Sequence, residues 1–251
     1  MDIHNFYNSY GWKKNKKVFE DANLFEDLRK NSRFYVSKCR KRLMRYIPKK
    51  GDHILDFASG PIQYPEYLQY SKNFKKRHCI DFSKDAIKIA KKKIGTKKGK
   101  FYCEDFFKLK FKNNLFDCAI SLHTIYHINK NKQKFAINKL LDISKPDAPI
   151  IIVYSNPNTL INKIKKIFFY KEKKNKIYFY CHPIKWWDQF NSRADVKLYP
   201  WRSFSSQHQK IIFANNFFGK LMLKFLYILE DRFSNFFINN FQYYTIVIKK
   251  Y

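Results

Sequence analysis

Residues 53–81, HILDFASGPIQYPEYLQYSKNFKKRHCID, decide the fold of this chain. Residues 54–57 form a short apolar run typical of a buried strand, and residues 58–61 end it with small side chains and a proline. Pro65 can occupy the first turn of a helix, and a second apolar run then ends on Asp81. A strand, a glycine turn, a helix, a strand and an acid follow one another in a βαβ nucleoside-binding unit. The small turn admits a ligand to the helix N-terminus, and the acid accepts hydrogen bonds from ribose hydroxyls.

Two later blocks extend this pattern. They are CEDFFKLKF at residues 103–111 and FDCAISL at residues 116–122. Together with LDFASG at residues 55–60 and with Asp81, they resemble class I S-adenosylmethionine (SAM)-dependent methyltransferases of type 11, in order and in spacing. The resemblance covers roughly residues 50–155. It implies a Rossmann-like sheet and SAM as cofactor.

The resemblance also assigns cofactor contacts. Gly60 would approach the methionine portion, Asp81 would bind the ribose hydroxyls, and Asp105 would bind the adenine amino group. Asp56 would orient the turn, and the other family positions correspond to Ala58, Ser59, Phe82, Phe106 beside the adenine ring, and Leu122. Asp105 has an alternative role as the cap of the turn that follows it. Because Ala58 and Ile62 replace two of the family's glycines, a tighter or shifted turn is expected, with loss of the cofactor site as the alternative.

The alternation of strands and helices predicts a seven-stranded, mostly parallel sheet with helices on both faces and an antiparallel last strand. The predicted strands are residues 54–57, 77–81, 100–103, 117–122, 148–154, 196–199 and 243–248. The predicted helices include residues 21–30, 32–46, 84–93, 132–141, 186–190 and much of 211–240. The last two strands are assigned by resemblance. Residues 1–50 are interpreted as a helical lid and residues 51–251 as the methyltransferase domain, with an aromatic and basic insertion at about 155–185.

Composition limits the possible partners. A length of 251 residues with 45% hydrophobic side chains suits one α/β domain and excludes wholesale disorder. The net charge of +31 suggests nucleic acid or an anionic membrane, but only nine of the 51 basic residues are arginines. The lysine excess accompanies abundant Asn, Ile, Phe and Tyr, as A+T-rich codon usage would produce. Nucleic acid is therefore a partner that we do not favour, although a basic surface still attracts anionic substrates.

Cysteine usage and hydropathy indicate the compartment. Five cysteines without a C-x-x-C pair fit reduced thiols. No signal-peptide core and no run of about 18 apolar residues is present in the sequence. The expected location is cytoplasmic, with a peripheral position at the inner face of the membrane as the alternative. His123 and His127 lie four residues apart, a spacing that can bind zinc on a helix, but the sequence offers no third ligand near them. No metal site is therefore predicted.

The candidate catalytic residues follow the fourth predicted strand, in SLHTIYH at residues 121–127. Loops at the carboxyl ends of parallel strands bind ligands, so His123 and Tyr126 can face the methyl group, with His123 as proton acceptor. A purely structural histidine is the equal alternative. The candidate substrate-binding residues are Tyr10, Trp12, His127, Trp201 and Arg202, of which Arg202 suits an anionic or sugar-bearing acceptor. For the aromatic residues among them, core packing is the competing interpretation.

The predicted function is transfer of a methyl group from SAM to a small-molecule or glycan-type acceptor, at oxygen, by direct displacement. Residues 61–67 and 201–203 also resemble methyltransferases of surface-polysaccharide biosynthesis, which implies a sugar or lipid-linked acceptor and possible contact with a membrane. Two alternatives remain open. One is an RNA methyltransferase, and the other is a non-catalytic binding or scaffold protein that kept the fold.

Overall fold

The strands form two sheets. The computed structural model describes residues 3–16, 18–168 and 177–251, with only the backbone described at 165–168. A small hairpin is formed by β1 (Lys14–Asn15) and β2 (Val18–Phe19). The central sheet contains β3 (Gly51–Phe57), β4 (Phe74–Asp81), β5 (Gly99–Cys103), β6 (Cys118–Leu122), β7 (Pro149–Ser155), β8 (Ala194–Arg202) and β9 (Tyr243–Lys250).

The central sheet has the order β5-β4-β3-β6-β7-β9-β8. Its strands pair in parallel from β5 to β7, and β9 is antiparallel to both β7 and β8. β7 is buried along its whole length, as expected of a strand covered on both faces. The fold class predicted from the sequence, a Rossmann-like seven-stranded sheet with an antiparallel last strand, is confirmed.

Helices cover both faces of the sheet. They are α1 (Ile3–Phe6), α2 (Glu20–Phe25), α3 (Lys30–Arg42), α4 (Pro65–Gln69), α5 (Lys84–Ile94), α6 (Lys130–Ile143), α7 (Leu160–Phe168), α8 (Ser206–Ile212), α9 (Phe217–Arg232) and α10 (Ser234–Asn240). One core layer joins α6 to the sheet and the other joins α3 and α9 to it. As predicted, Ser83 caps α5, because its hydroxyl accepts a hydrogen bond from the Ala86 N–H at 3.4 Å.

Three elements differ from the sequence-based expectations. The helix predicted for residues 21–30 stops at Phe25, since the Asp27 carboxylate accepts from the Arg29 N–H at 3.2 Å and pairs with the Arg29 side chain. Residues 184–190 form 3₁₀ turns instead of an α-helix. β8 has nine residues where four were predicted, because it continues through Pro200 with an irregularity in its pairing.

The carboxyl ends of the parallel strands meet at one edge of the sheet. β4 ends there on Asp81, β6 on Leu122, and β8, which runs in the same direction, on Arg202. Loops at this edge carry the residues predicted to bind ligands. Of the insertion predicted at about 155–185, residues 169–176 lie outside the part of the chain that the structure describes.

Candidate active site

The turn after β3 has an unusual backbone. Ala58, Gly60 and Ile62 have φ values of 57°, 54° and 49°, all in the left-handed region that favours glycine. The turn is tied to β4, because the Ser59 N–H donates to the Ile80 carbonyl at 3.0 Å. Ala58 and Ile62 therefore keep a glycine-like backbone despite their side chains, at a cost of about 1–2 kcal/mol each.

Replacing Ala58 by Gly is expected to stabilise the protein. Relief of the left-handed strain outweighs the extra backbone entropy of glycine, leaving a gain of about 0.5–1 kcal/mol in the free energy of unfolding. For a chain of this size, that gain raises the melting temperature by roughly 1–4 °C, measurable by circular dichroism. Ala90→Gly, inside α5, is the matched control and should destabilise. Equal losses in both variants would contradict the strain argument.

Asp81 joins this turn to the start of α5. Its side chain is 6% exposed, and its two oxygens accept hydrogen bonds from the Gly60 and Ser83 N–H groups, each at 2.9 Å. Burial raises the pKa of the Asp81 carboxyl to about 6, although both hydrogen bonds oppose that shift. Each carboxylate oxygen has a second lone pair, so ribose hydroxyls can add to these contacts.

The adenine end of the predicted site is formed by residues after β5. Asp105 Oδ1 accepts from the Phe107 N–H at 2.9 Å, which is the turn-capping role considered for it as the alternative. Its Oδ2 accepts no hydrogen bond from any residue that the structure describes, so it can still receive an amino group. Phe106 is buried and stacks on Phe57 with ring centroids 4.1 Å apart, where it forms part of the core.

Asp56 lies below the turn in a buried ion pair. Its carboxylate accepts from the Arg77 guanidinium, which also donates to the Tyr67 carbonyl and, at 3.2 Å, to the Ser71 hydroxyl. This pair holds β3 against β4. The predicted contribution of Asp56 to the turn would therefore act through the position of β3.

His123 and Tyr126 lie together just beyond β6. The His123 N–H donates to the Val153 carbonyl at 3.2 Å, and the residue has a φ of 59°. Its Nδ1 is 2.9 Å from the Tyr126 hydroxyl. Burial, and then the charges of Arg202 and Arg40, lowers the pKa of His123 well below its usual value, while burial raises that of Tyr126. The imidazole is therefore neutral and the phenol protonated near pH 7.

An aromatic wall adjoins His123. The rings of Trp201 and Tyr243 lie edge-on to it, with centroids at 4.5 and 5.3 Å. The Arg202 guanidinium carbon is 4.9 Å from the centroid of Tyr243. Trp201 and Arg202, both predicted to bind substrate, therefore lie beside the predicted catalytic histidine.

His127 has a different environment from His123. Its Nδ1 is 2.7 Å from the Tyr178 carbonyl oxygen, and its ring packs against Phe179. Among residues 3–16, 18–168 and 177–251, no group of three His, Cys, Asp or Glu side chains is arranged to hold a metal ion. Over the same residues, no helix is both long enough and apolar enough to cross a membrane.

The N-terminal segment covers the cofactor turn. A Cβ atom added to Gly60 would lie 3.1 Å from the Trp12 ring, and Tyr7 stacks on Trp12 with centroids 4.8 Å apart. His4 stacks on Phe82 with centroids 4.0 Å apart. Tyr10, by contrast, is 39% exposed and bonds Glu20 at 3.1 Å, away from the turn.

Sequence reasoning missed several residues of this site: His4, Tyr7, Arg40 and Tyr243. The signal available for Tyr7 was its place in an aromatic cluster with Trp12, but nothing in the sequence distinguished it from Tyr10. The other three, His4, Arg40 and Tyr243, come from distant parts of the chain, and only the folded sheet edge brings them together.

A protein-family model matches part of this chain. The model of the family described as methyltransferase domain matches residues 55–152, which contain the end of β3, all of β4 to β6 and the first four residues of β7. The chain therefore matches a methyltransferase domain over these residues. The matched residues begin inside β3 and include the turn after it, Asp81, Asp105 and His123.

Solved structures of methyltransferases share the fold of the whole domain. A complex of DhpI with S-adenosylhomocysteine (SAH) is 10% identical over 98% of this chain and 95% of DhpI, with a TM-score of 0.58. A SAM-dependent methyltransferase from Archaeoglobus fulgidus is 18% identical over 86% and 94% of the two chains, with a TM-score of 0.53. A putative methyltransferase from Bacillus halodurans is 14% identical over 85% and 97%, with a TM-score of 0.54. No curated protein matches the chain.

Proposed function

We propose that the chain binds SAM and transfers its methyl group to a hydroxyl of a small-molecule or glycan-type acceptor. The observation that carries this proposal is the hydrogen-bonded unit of Gly60 and Asp81, placed at the carboxyl edge of the sheet beside His123. The SAH complex of DhpI, a protein of the same fold, supports the choice of cofactor.

The residues at this edge fit the cofactor. Asp81 would accept from the ribose hydroxyls and the free oxygen of Asp105 from the adenine amino group. Gly60, which the Trp12 ring covers, would lie beside the methionine portion once that ring moves. When bound, SAM supplies a methyl group on a sulfonium, which is already activated for displacement. The protein's remaining tasks are to orient the acceptor, exclude water and accept a proton.

Residues 1–50 would act as a lid over residues 51–251. Support comes from the N-terminal rings, since Trp12 lies against Gly60 and His4 stacks on Phe82. Such a cover excludes water from the reacting groups, and it must move to admit the cofactor. The insertion near residues 155–185 would border the same edge, because the Tyr180 N–H donates to the Tyr126 carbonyl at 2.8 Å.

His123 would accept the proton of the acceptor hydroxyl at Nε2. The neutral state of its imidazole near pH 7 leaves a lone pair for this role, and Tyr126 at 2.9 Å from Nδ1 orients the ring. In this tautomer the Nδ1–H would donate to the Tyr126 oxygen both before and after proton uptake. Trp201 and Tyr243, whose rings contact His123, would hold a sugar or another ring of the acceptor.

Methyl transfer from radiolabelled SAM to a panel of hydroxyl acceptors, with RNA included, tests this assignment. His123→Gln is expected to lower kcat about 10²–10³-fold, because it removes the proton acceptor, while the affinity for SAH stays within about twofold. Tyr126→Phe should lower kcat less. Label in RNA alone would support the RNA alternative, and undiminished transfer by His123→Gln would contradict its role as base.

The affinity for SAH is expected to depend on pH through Asp81. Ribose hydroxyls donate more strongly to the ionised carboxylate than to the neutral acid, and the pKa of the free group is about 6. Affinity should therefore be constant above about pH 6 and fall by up to tenfold per unit below it. Calorimetric titrations between pH 5 and 8 measure this, and Asp81→Asn should remove the dependence. A flat profile in the unchanged protein would contradict the contact.

A further inference from the structure

Arg202 is a buried arginine without an acidic partner. It is 6% exposed, and its Nε has no hydrogen-bond partner. Within the described ranges, its guanidinium makes no hydrogen bond or ion pair and only faces the Trp201 and Tyr243 rings. The other buried arginines are paired: Arg40 with Glu26 at 2.8 Å, Arg42 with Glu230 at 3.0 Å, and Arg77 with Asp56. An uncompensated buried charge is costly, which points to an absent anionic ligand.

A second unpartnered donor lies next to it. The Nε1–H of Trp201 is buried, 3% of that residue is exposed, and the group has no hydrogen-bond partner. The Arg202 guanidinium carbon is 5.2 Å from the Trp201 ring centroid. Both groups only donate hydrogen bonds, so together they suit an acceptor-rich group such as an oxyanion.

These donors lie at the candidate active site. Arg202 ends β8 opposite Tyr243, and the rings of Trp201 and Tyr243 both contact His123. Burial, and then the charge of Arg202, lowers the pKa of His123, and the same charge opposes the rise that burial causes in the pKa of Tyr126. A ligand bound by Arg202 would therefore reach the residue that we assign as proton acceptor.

We propose that Arg202 and the Trp201 indole bind an oxyanionic group, a carboxylate or a phosphate, of the methyl acceptor. This inference rests on the proposed function and narrows its substrate class. The planar guanidinium fork matches either oxyanion, and the anion replaces the missing carboxylate partner of Arg202. Binding there fixes the acceptor by its charged end and leaves another group of the molecule for His123.

Inorganic phosphate and acetate are the probes that test this site. Each is titrated at constant ionic strength into ¹⁵N-labelled protein with and without SAH, and the Trp201 indole N–H signal is followed. That signal is identified with Trp201→Phe. We expect a saturable shift of the Trp201 indole N–H signal with at least one anion. The anion that binds more tightly indicates whether the acceptor carries a phosphate or a carboxylate. Arg202→Gln should weaken binding at least about tenfold, and Arg202→Lys less.

Arg193→Gln is the matched control, because Arg193 precedes β8 and pairs with Asp142 on the surface at 2.6 Å. It should bind both anions as the unchanged protein does. A Trp201 signal that neither anion moves, or an equal affinity in Arg202→Gln, overturns the proposal. Anion binding without SAH binding would instead refute the methyltransferase function and leave the anion site standing.

An independent observation concerns the outer face of α9. Six large apolar side chains are each 51–73% exposed: Phe217, Phe218, Leu221, Met222, Phe225 and Ile228. Their helical spacing places them on one face, while Leu223 and Leu226 on the opposite face pack in the core. A contiguous apolar face of this kind marks a binding surface.

The charges around this face favour an anionic lipid surface. Lys220, Lys224 and Arg232 are exposed on the same helix, and its exposed acid, Asp231, is bound by Arg45 at 3.0 Å. The chain carries a net charge of +31, so a second copy docked on α9 would bring like charges together. We propose that α9 lies on an anionic membrane, with its apolar face in the lipid and its lysines at the headgroups.

Co-sedimentation with phosphatidylcholine vesicles tests this surface, with and without about 30% of the anionic lipid phosphatidylglycerol. We expect binding to the anionic vesicles that falls at least about tenfold in Phe218→Ser/Phe225→Ser. Phe135→Ser is the control, because Phe135 is 59% exposed on α6. Equal binding by the double variant overturns the proposal. So does self-association of the unchanged protein that the double variant abolishes, which would assign the face to a second copy.

Discussion

Replacing Asp81 by Asn is expected to weaken SAH binding about a hundredfold. The amide keeps the size of the side chain, but it removes the charge that both ribose hydroxyls would contact, a loss of about 3 kcal/mol. It also replaces one of the two oxygens that accept from the Gly60 and Ser83 N–H groups at 2.9 Å. Isothermal titration calorimetry of both proteins measures the difference.

The control for this variant is Asp52→Asn, which changes an exposed carboxylate that pairs with Lys75 at 2.8 Å. Its SAH affinity should equal that of the unchanged protein. Because burial raises the pKa of Asp81 above 3.8, ionising this group costs folding stability as the pH rises through about 6. Asp81→Asn should therefore remain folded at pH 7. Unaltered SAH affinity in a folded Asp81→Asn protein would contradict the cofactor assignment.

Replacing Glu230 by Ala is expected to lower the free energy of unfolding by about 3–5 kcal/mol. Glu230 is fully buried, and it accepts from Arg42 at 3.0 Å, from the Ser203 N–H at 3.0 Å and hydroxyl at 2.6 Å, and from the Tyr35 hydroxyl. The truncation leaves the Arg42 charge in the core without this partner. It also removes the hydrogen bonds that connect α9 to α3 and to the end of β8.

Thermal and urea unfolding measure this loss, which corresponds to a melting temperature lower by roughly 6–20 °C. Glu104→Ala is the control, because Glu104 is exposed and lies 3.9 Å from Lys108, so it should cost less than about 1 kcal/mol. The double variant Arg42→Met/Glu230→Leu should recover much of the stability, since no unpaired charge remains. A single variant as stable as the control would show that the network contributes little.

The strands that precede and follow the cofactor turn were predictable because their signals are local. Residues 54–57 and 77–81 are short apolar runs bounded by turn residues, and each lies within an observed strand. Ser83 and the apolar spacing after it gave α5 for the same reason. β8 was only partly predicted, since Pro200 argues against a strand and the pairing with β9 that tolerates it is a long-range contact.

The candidate site was less predictable than the fold. Asp81 ends β4 and His123 follows β6, and the direction of these strands places both residues at the same edge of the sheet. Tyr7 and His4 cover that edge from a segment whose position depends on packing, and the pairing of Arg42 with Glu230 joins residues 188 positions apart. Neither the position of the N-terminal segment nor this pairing leaves a periodic pattern in the sequence. The unpaired state of Arg202 likewise appears only once every neighbouring carboxylate has been located.

At Ala58 and Ile62 the chain lacks the glycines of the family pattern but keeps the backbone conformation that those glycines would adopt. Their replacement of glycine suggested a changed turn, yet both residues retain positive φ values on either side of Gly60. Burial of Ile62 at 1% exposure and the fixed ends of β3 and β4 hold the strained backbone in place.

The central claim is that this chain binds SAM at the edge formed by Gly60, Asp81 and Asp105. Calorimetric titration of the unchanged protein with SAH at pH 7.5, about 1.5 units above the pKa of Asp81, tests it most directly. We predict saturable binding of one SAH molecule per chain, with a higher melting temperature in its presence. Absence of binding by protein that unfolds cooperatively would contradict the claim and favour a non-catalytic role for this fold.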